Sequence, residues 1–127
     1  MRTEDAAGRW AEVWSRAWPA ADVEAIVALY TADAIYVSHP FRAPVTPRQY
    51  LEPVFAVQAV AECRFGTPVV EGDRAAVDWW GAITDVDGSV ETVAGTSLLR
   101  FDADGLVVEQ RDAWAGEPLH RDLDWPR

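Results

Sequence analysis

The hydrophobic period of this chain changes near its middle, and that change restricts the fold more than any other feature. In the first half apolar residues recur at helical spacing. Trp10, Val13, Trp14, Ala17 and Trp18 fall on one stripe, and Val23, Ile26, Val27 and Tyr30 repeat the pattern. The second half reads as four β-type runs, over residues 61–70, 74–84, 90–101 and 106–114. Between them lie Glu71-Gly72-Asp73, Asp85-Val86-Asp87-Gly88 and Asp102-Ala103-Asp104-Gly105, whose glycines and aspartates suit tight turns. Helices first and an antiparallel meander afterwards is the α+β arrangement.

Local signals place the ends of the helices. The first is predicted over about residues 4–17, with Thr3 available as cap, Glu4 and Asp5 at the positive end of its dipole, and Pro19 as its stop. Asp22 caps a second helix. A short strand over 34–38 runs into an irregular loop containing His39, Pro40, Phe41 and Pro44. Thr46-Pro47-Arg48-Gln49 is a capping box with proline at the first helical position. Tyr50, Leu51, Val54 and Phe55 give the third helix its buried face, and Pro53 is expected to kink it. The strand over 75–83 is apolar on both faces. One face can meet the helices, and the other (Val77, Trp79, Ile83) calls for a second cover, for which a partner subunit in a homodimer is the simplest candidate.

Composition narrows the function classes. With 127 residues, half of them hydrophobic, the chain fits one domain over residues 1–127. A net charge of −10 repels phosphate backbones and anionic lipid, so neither nucleic acid nor a membrane surface is an expected partner. No apolar run approaches the ~20 residues a membrane span needs. No basic segment precedes an apolar one at the N-terminus. The lone Cys63 has no internal partner and suits a reducing, cytoplasmic setting. Two His and one Cys without ligand spacing, and no Gly-rich phosphate loop, give no ground for a metal or a cofactor. Seven Trp stand out, since indoles fill cores and also line ligand cavities.

Asp112 is the first candidate for chemistry. On a regular strand Val108, Gln110, Asp112 and Trp114 share a face, so its carboxylate either enters a cavity or pairs with Arg100 or Arg111. His39, the one His away from the C-terminal tail, is the second candidate, as a proton carrier or as a ring satisfying its own loop. Trp18, Trp80 and Trp114 are the expected cavity walls. Trp10, Trp79 and Trp125 are assigned to core or interface. Tyr30, Tyr36 and Tyr50 each offer a hydroxyl, and Asp78 alternates with Trp80 and would share its face.

The order of elements resembles the nuclear transport factor 2-like superfamily in its SnoaL-like branch, across nearly the whole chain. The resemblance rests on Asp22-Val23-Glu24-Ala25-Ile26-Val27-Ala28-Leu29-Tyr30, on the loop over 34–44, on Leu99-Arg100-Phe101-Asp102-Ala103-Asp104-Gly105-Leu106-Val107-Val108-Glu109 and on Gln110-Arg111-Asp112-Ala113-Trp114. It implies a cystatin-like fold: a cone of curved antiparallel sheet wrapped around N-terminal helices, usually dimeric, with its pocket inside. Trp14, Phe55 and Ser97 then join the lining. Ketosteroid isomerases carry a hydroxyl where Trp14 stands, an acid where Ser97 stands, and a base at Ser38 or His39, so at most one of three roles is kept. Limonene-epoxide-hydrolase-like enzymes share the Arg111, Asp112, Trp114 run, but Trp80 and Ala82 occupy the places of their other polar residues. SnoaL-like cyclases match best, with Asp112 as the single strand carboxylate. The implied function is binding of a small hydrophobic molecule, with cofactor-free acid/base chemistry of cyclase or isomerase type on a carbonyl compound. The alternatives are a non-catalytic carrier with the same pocket, or a structural domain whose cavity is filled by its own aromatics.

Overall fold

The computed structural model describes all residues, Met1–Arg127. Three helices, α1 (Thr3–Ala20), α2 (Val23–Val27) and α3 (Pro47–Ala56), combine with six strands: β1 (Tyr30–Val37), β2 (Gln58–Phe65), β3 (Val69–Glu71), β4 (Arg74–Asp85), β5 (Val90–Phe101) and β6 (Val107–Glu117). The sheet runs β1-β6-β5-β4-β2, with β3 also paired to β4. Its meander is antiparallel as expected, while β1 joins the edge of β6 in parallel and makes the sheet mixed. The sheet curls as a half-barrel around α1. Small residues on α1 (Ala6, Ala7, Ala11, Ala17) let the helix approach, and Trp10 and Trp14 project into the core with Ile26, Leu51, Val77 and Val107.

Several local expectations hold because they depend on neighbouring residues alone. The Asp22 carboxylate accepts the Ala25 N–H at 3.1 Å. Thr46 and Gln49 exchange both capping-box bonds, at 2.9 and 3.2 Å. Gly72, Gly88 and Gly105 take the positive φ of their turns. Thr3 does not cap α1: it is the first helical residue, and Arg2, at the cap position, makes no side-chain bond to the helix backbone. Nor does Pro19 stop the helix, which continues to Ala20 before Ala21 turns left-handed. Proline leaves the Ser15 carbonyl without its helical donor, and the Cys63 thiol on β2 approaches that oxygen at 3.5 Å. The single run expected over 61–70 is two strands, β2 and β3.

The faces of β4 are reversed relative to the sequence reading. Val77, Trp79 and Ile83 point into the cone, and Asp78 and Trp80 lie on the outer face. Asp78 accepts the Thr96 hydroxyl there at 2.8 Å. Trp80 is covered by the chain's own C-terminal segment. Its indole donates to the Arg121 carbonyl at 3.0 Å, Arg64 lies 4.1 Å over its ring, and Thr92 donates to the Leu119 carbonyl at 2.6 Å. The residues whose exposure argued for a partner subunit are thus inside the cone, and part of the outer face has an intramolecular cover.

Candidate active site

The strand register stacks the inner face in rows. Deepest is Gln110 beside Leu99, followed by Asp112–Ser97–Val77, Trp114–Gly95–Trp79, Gly116–Val93–Gly81, and the Glu91–Ile83 pair. The glycines in these rows open the cone. A Cβ on Gly81 would lie 2.4 Å from the Trp18 ring, and one on Gly95 would lie 2.2 Å from the Ala113 carbonyl and 2.6 Å from the Trp114 Cβ. Without those two side chains the indoles of Trp18 and Trp114 fold down against the sheet. They and α3 bound a cavity of about 470 Å³, a volume within the range of small-molecule sites, ~300–1,000 Å³. Ser97, Gln110 and Asp112 form its floor. Arg42, Asp85, Ser89 and Glu91 stand at its rim.

Asp112 sits 8% exposed with no cation bonded to it. Its Oδ1 accepts the Ser97 hydroxyl at 2.6 Å and the Gln110 amide at 3.0 Å, and its Oδ2 accepts only the Tyr36 hydroxyl, at 3.3 Å. A further layer fixes those donors. Trp79 Nε1 donates to Ser97 Oγ at 2.9 Å, Tyr30 donates its hydroxyl to Gln110 Oε1, and Trp10 and Trp14 donate to the Tyr30 oxygen at 3.2 Å each. Burial pushes the Asp112 carboxyl up to about 6, against the lowering effect of its three hydrogen bonds. Tyr50 stacks on Tyr36 with ring centres 4.9 Å apart. Burial and the Asp112 charge push its hydroxyl up to about 12, opposed by Arg42.

Of the residues singled out in the sequence, Trp14, Trp18, Tyr36, Phe55, Ser97, Asp112 and Trp114 line this cavity, and Tyr50 joins them. Tyr30 lies behind the floor and reaches the cavity only through Gln110. Asp78 and Trp80 are outside, for the register reason given above. His39 does not line the cavity, and no hydrogen bond joins it to Asp112. Its Nδ1 accepts the Phe41 N–H at 3.2 Å, and its ring packs edge-on to Trp114 at 5.1 Å. The ion pair of Asp112 with Arg100 or Arg111 does not form either: strand alternation sends both arginines to the opposite face. Trp10 and Trp79, assigned to core or interface, also line the cavity, as do Gln58 and Arg42, which were not proposed. Alternation could have found Trp79 once the register of β4 was known. Arg42 sits in a Pro-rich loop with no periodicity, 5.4 Å over Trp114 and bonded to the Ser38 hydroxyl at 3.1 Å. No group of three His, Cys, Asp or Glu side chains converges to hold a metal ion.

No curated protein sequence matches the chain. Solved structures share its fold at low identity. The nuclear transport factor 2-like protein of unknown function from Exiguobacterium sp. 255-15 is 19% identical, with a TM-score of 0.71 over 87% of this chain and 98% of its own. SalBIII, an epoxide hydrolase/cyclase-like enzyme of pyran ring formation in the polyether salinomycin, is 18% identical with a TM-score of 0.74 over 87% and 91%. PrhC from Penicillium brasilianum NBRC 6234 is 17% identical with a TM-score of 0.74 over 90% and 83%. The model of the SnoaL-like domain matches residues 9–110, ending two residues before Asp112 and taking in most of α1, the other two helices, β1 to β5 and most of the cavity wall, and the chain therefore belongs to the SnoaL-like domain family.

Proposed function

We propose that the protein binds a small, largely apolar carbonyl compound inside the cone and that Asp112 acts on it as a cofactor-free general base. The observation that carries this reading is a carboxylate without an ion-pair partner, held by neutral donors at the floor of an aromatic cavity. Such a group is a stronger base than a solvated carboxylate, and a pKa near 6 leaves it ionised at neutral pH. Oδ2, with a single long hydrogen bond, is the oxygen free to accept a proton from a carbon next to the substrate carbonyl. The electron pair left on that carbon delocalises onto the carbonyl oxygen, and the Tyr50 hydroxyl and the Arg42 guanidinium are the donors available to that oxyanion. Returning the proton at another position completes an isomerisation; attack of the carbanion on a second carbonyl of the same molecule forms the ring and pushes the carbonyl electron pair onto oxygen, and the proton held by Asp112 then passes to that alkoxide and restores the carboxylate. SalBIII, an epoxide hydrolase/cyclase-like enzyme on the same fold, supports the cyclase direction by analogy only.

The test is hydrogen–deuterium exchange at the α-carbon of a panel of cyclic and β-dicarbonyl compounds in deuterium oxide, followed by NMR. The wild-type chain accelerates exchange for at least one compound, with a rate that rises as pH passes about 6. Asp112→Asn abolishes the acceleration. Equal exchange in both proteins would refute the base assignment. A carrier without chemistry gives binding and no exchange. The same proposal extends to assembly, with a second copy seated on the outer face around Leu98, which is 56% exposed beside Thr96 and Ala113.

A further inference from the structure

The hydrogen-bonding groups around the cavity are unequally divided between donors and acceptors. Five indoles line it, and four of them direct their N–H into the protein. Trp10 and Trp14 donate to Tyr30, Trp79 to Ser97, and Trp114 to the Ser38 carbonyl at 2.6 Å. The Tyr36 hydroxyl is committed to Asp112. The Gln58 amide donates to the Trp18 carbonyl at 2.8 Å, which leaves its Oε1 buried with no partner. What faces a guest is therefore a set of ring surfaces with three carboxylates, Asp112 at the floor and Asp85 and Glu91 at the rim, against which the Tyr50 hydroxyl and the Arg42 guanidinium are the donors. Against these three carboxylates the lining holds a single cation, Arg42, which is tied to Ser38 and stacked on Trp114.

A cavity with these walls matches positive charge better than a neutral or anionic guest. Indole faces attract cations through their quadrupole, most strongly where water is excluded. The rim carboxylates and the net charge of −10 concentrate cations at the mouth. A bare metal ion would need converging ligands, and none converge. An organic cation, whose charge is spread over carbon substituents, suits an apolar wall.

We propose that the natural guest of this cavity carries a positively charged alkylammonium group, packed on Trp18, Trp79 and Trp114 between Asp112 at the floor and Asp85 and Glu91 at the rim. This deepens the proposed small-molecule reading and rests on it for the cavity, but not on any turnover.

The probes are choline and its neutral isostere 3,3-dimethylbutan-1-ol, titrated into the full chain at neutral pH and low salt. Binding is read from tryptophan fluorescence and from the NMR shifts of the indole N–H signals. The expected result is that choline binds at least about tenfold more tightly than the alcohol, the margin of a desolvated cation–π contact plus partial charge neutralisation. In the Asp85→Asn/Glu91→Gln double variant the margin is expected to shrink, and both substitutions are at the solvated mouth, away from the core. Equal or tighter binding of the alcohol overturns the cation proposal and leaves base chemistry on neutral compounds standing. An undiminished margin in the double variant also overturns it, because the rim carboxylates would then contribute nothing. If neither probe perturbs a cavity indole, the proposal fails, while the exchange test with Asp112→Asn still judges the base assignment separately.

Discussion

Replacing Asp112 by Asn should stabilise the protein at neutral pH. The carboxyl group is 8% exposed, makes no ion pair, and is pushed from 3.8 to about 6 by burial. One pKa unit corresponds to about 1.4 kcal/mol, so the ionised form costs the fold about 3 kcal/mol relative to the protonated form. Because the folded-state pKa lies above that of the unfolded chain, the folded state holds more protons between about pH 4 and pH 6. Stability attributable to this group is therefore full below about pH 4, falls as pH rises through that window, and stays low above it. Asparagine has the same shape and no charge. Its Oδ1 can still accept from Ser97 and Gln110, while its amide meets the Tyr36 hydroxyl, which must rotate to accept. Turning the Tyr36 hydroxyl round to accept from the amide, at about 1 kcal/mol, offsets part of the gain. The variant should be about 1–3 kcal/mol more stable than wild type near pH 7, with the difference vanishing towards about pH 4. Urea denaturation of both proteins across this range measures it, and the general charge repulsion of an acidic chain nearly cancels in the comparison. A variant less stable than wild type at neutral pH, or a difference that does not change with pH, would refute the reasoning.

Ser97→Ala removes one donor to Asp112 and leaves the Trp79 indole N–H buried without a partner. It should cost about 1–3 kcal/mol and move the midpoint of the pH dependence of α-carbon exchange upwards, as pH–rate profiles would show. Gly95→Ala forces a Cβ to within 2.2 Å of the Ala113 carbonyl, a backbone atom that cannot swing aside. A loss above about 2 kcal/mol is expected from chemical denaturation. Cys63, half-buried against α1 with its thiol pushed up to about 12 by burial, should resist iodoacetamide at mildly alkaline pH until the protein unfolds, as mass spectrometry would reveal. If the proposed second copy seats on the outer face, Leu98→Glu should convert a dimer to a monomer in sedimentation velocity without changing the cavity.

The parts of the fold that the sequence makes legible are those decided by nearest neighbours. The Thr46–Gln49 box, the Asp22 cap and the glycines of three turns need no knowledge of what packs against them. Asp112 was legible for a different reason: it lies in the last-strand run that carried the resemblance, and alternation puts Gln110 and Trp114 on its face. The tandem Trp79–Trp80 was not legible, because both residues are apolar and a strand must send them to opposite sides. Gly81 and Trp18 settle the matter, since the indole fills the space that a glycine leaves on the inner face. Trp80 escapes solvent only because residues 119–125 fold back over it, and no periodicity announces such a segment. His39 misled because a titrating side chain next to a loop looks the same whether it faces a cavity or satisfies its own backbone.

The energetics of the floor separate a functional carboxylate from a structural one. A buried acid retained for stability needs a cation or a set of donors that returns more than burial removes. Asp112 has three neutral donors, and their combined effect leaves its pKa raised, so the net balance is against the charged form. Packing supplies the surplus that tolerates this. Trp10, Trp14 and Trp79 are all buried, and each removes on the order of 200 Å² from water, worth about 5 kcal/mol at ~25 cal/mol per Å² before entropy is charged. Their N–H groups then hold Ser97 and Tyr30, which in turn present donors to the floor. The same tryptophans that make the core stable enough to keep an unfavourable carboxylate also fix the hydroxyl and amide that orient it. On the proposed reading, a neutral residue at position 112 would give a more stable cone with an inert floor, and the energetic cost of the charge is what the use of Asp112 on a guest would account for.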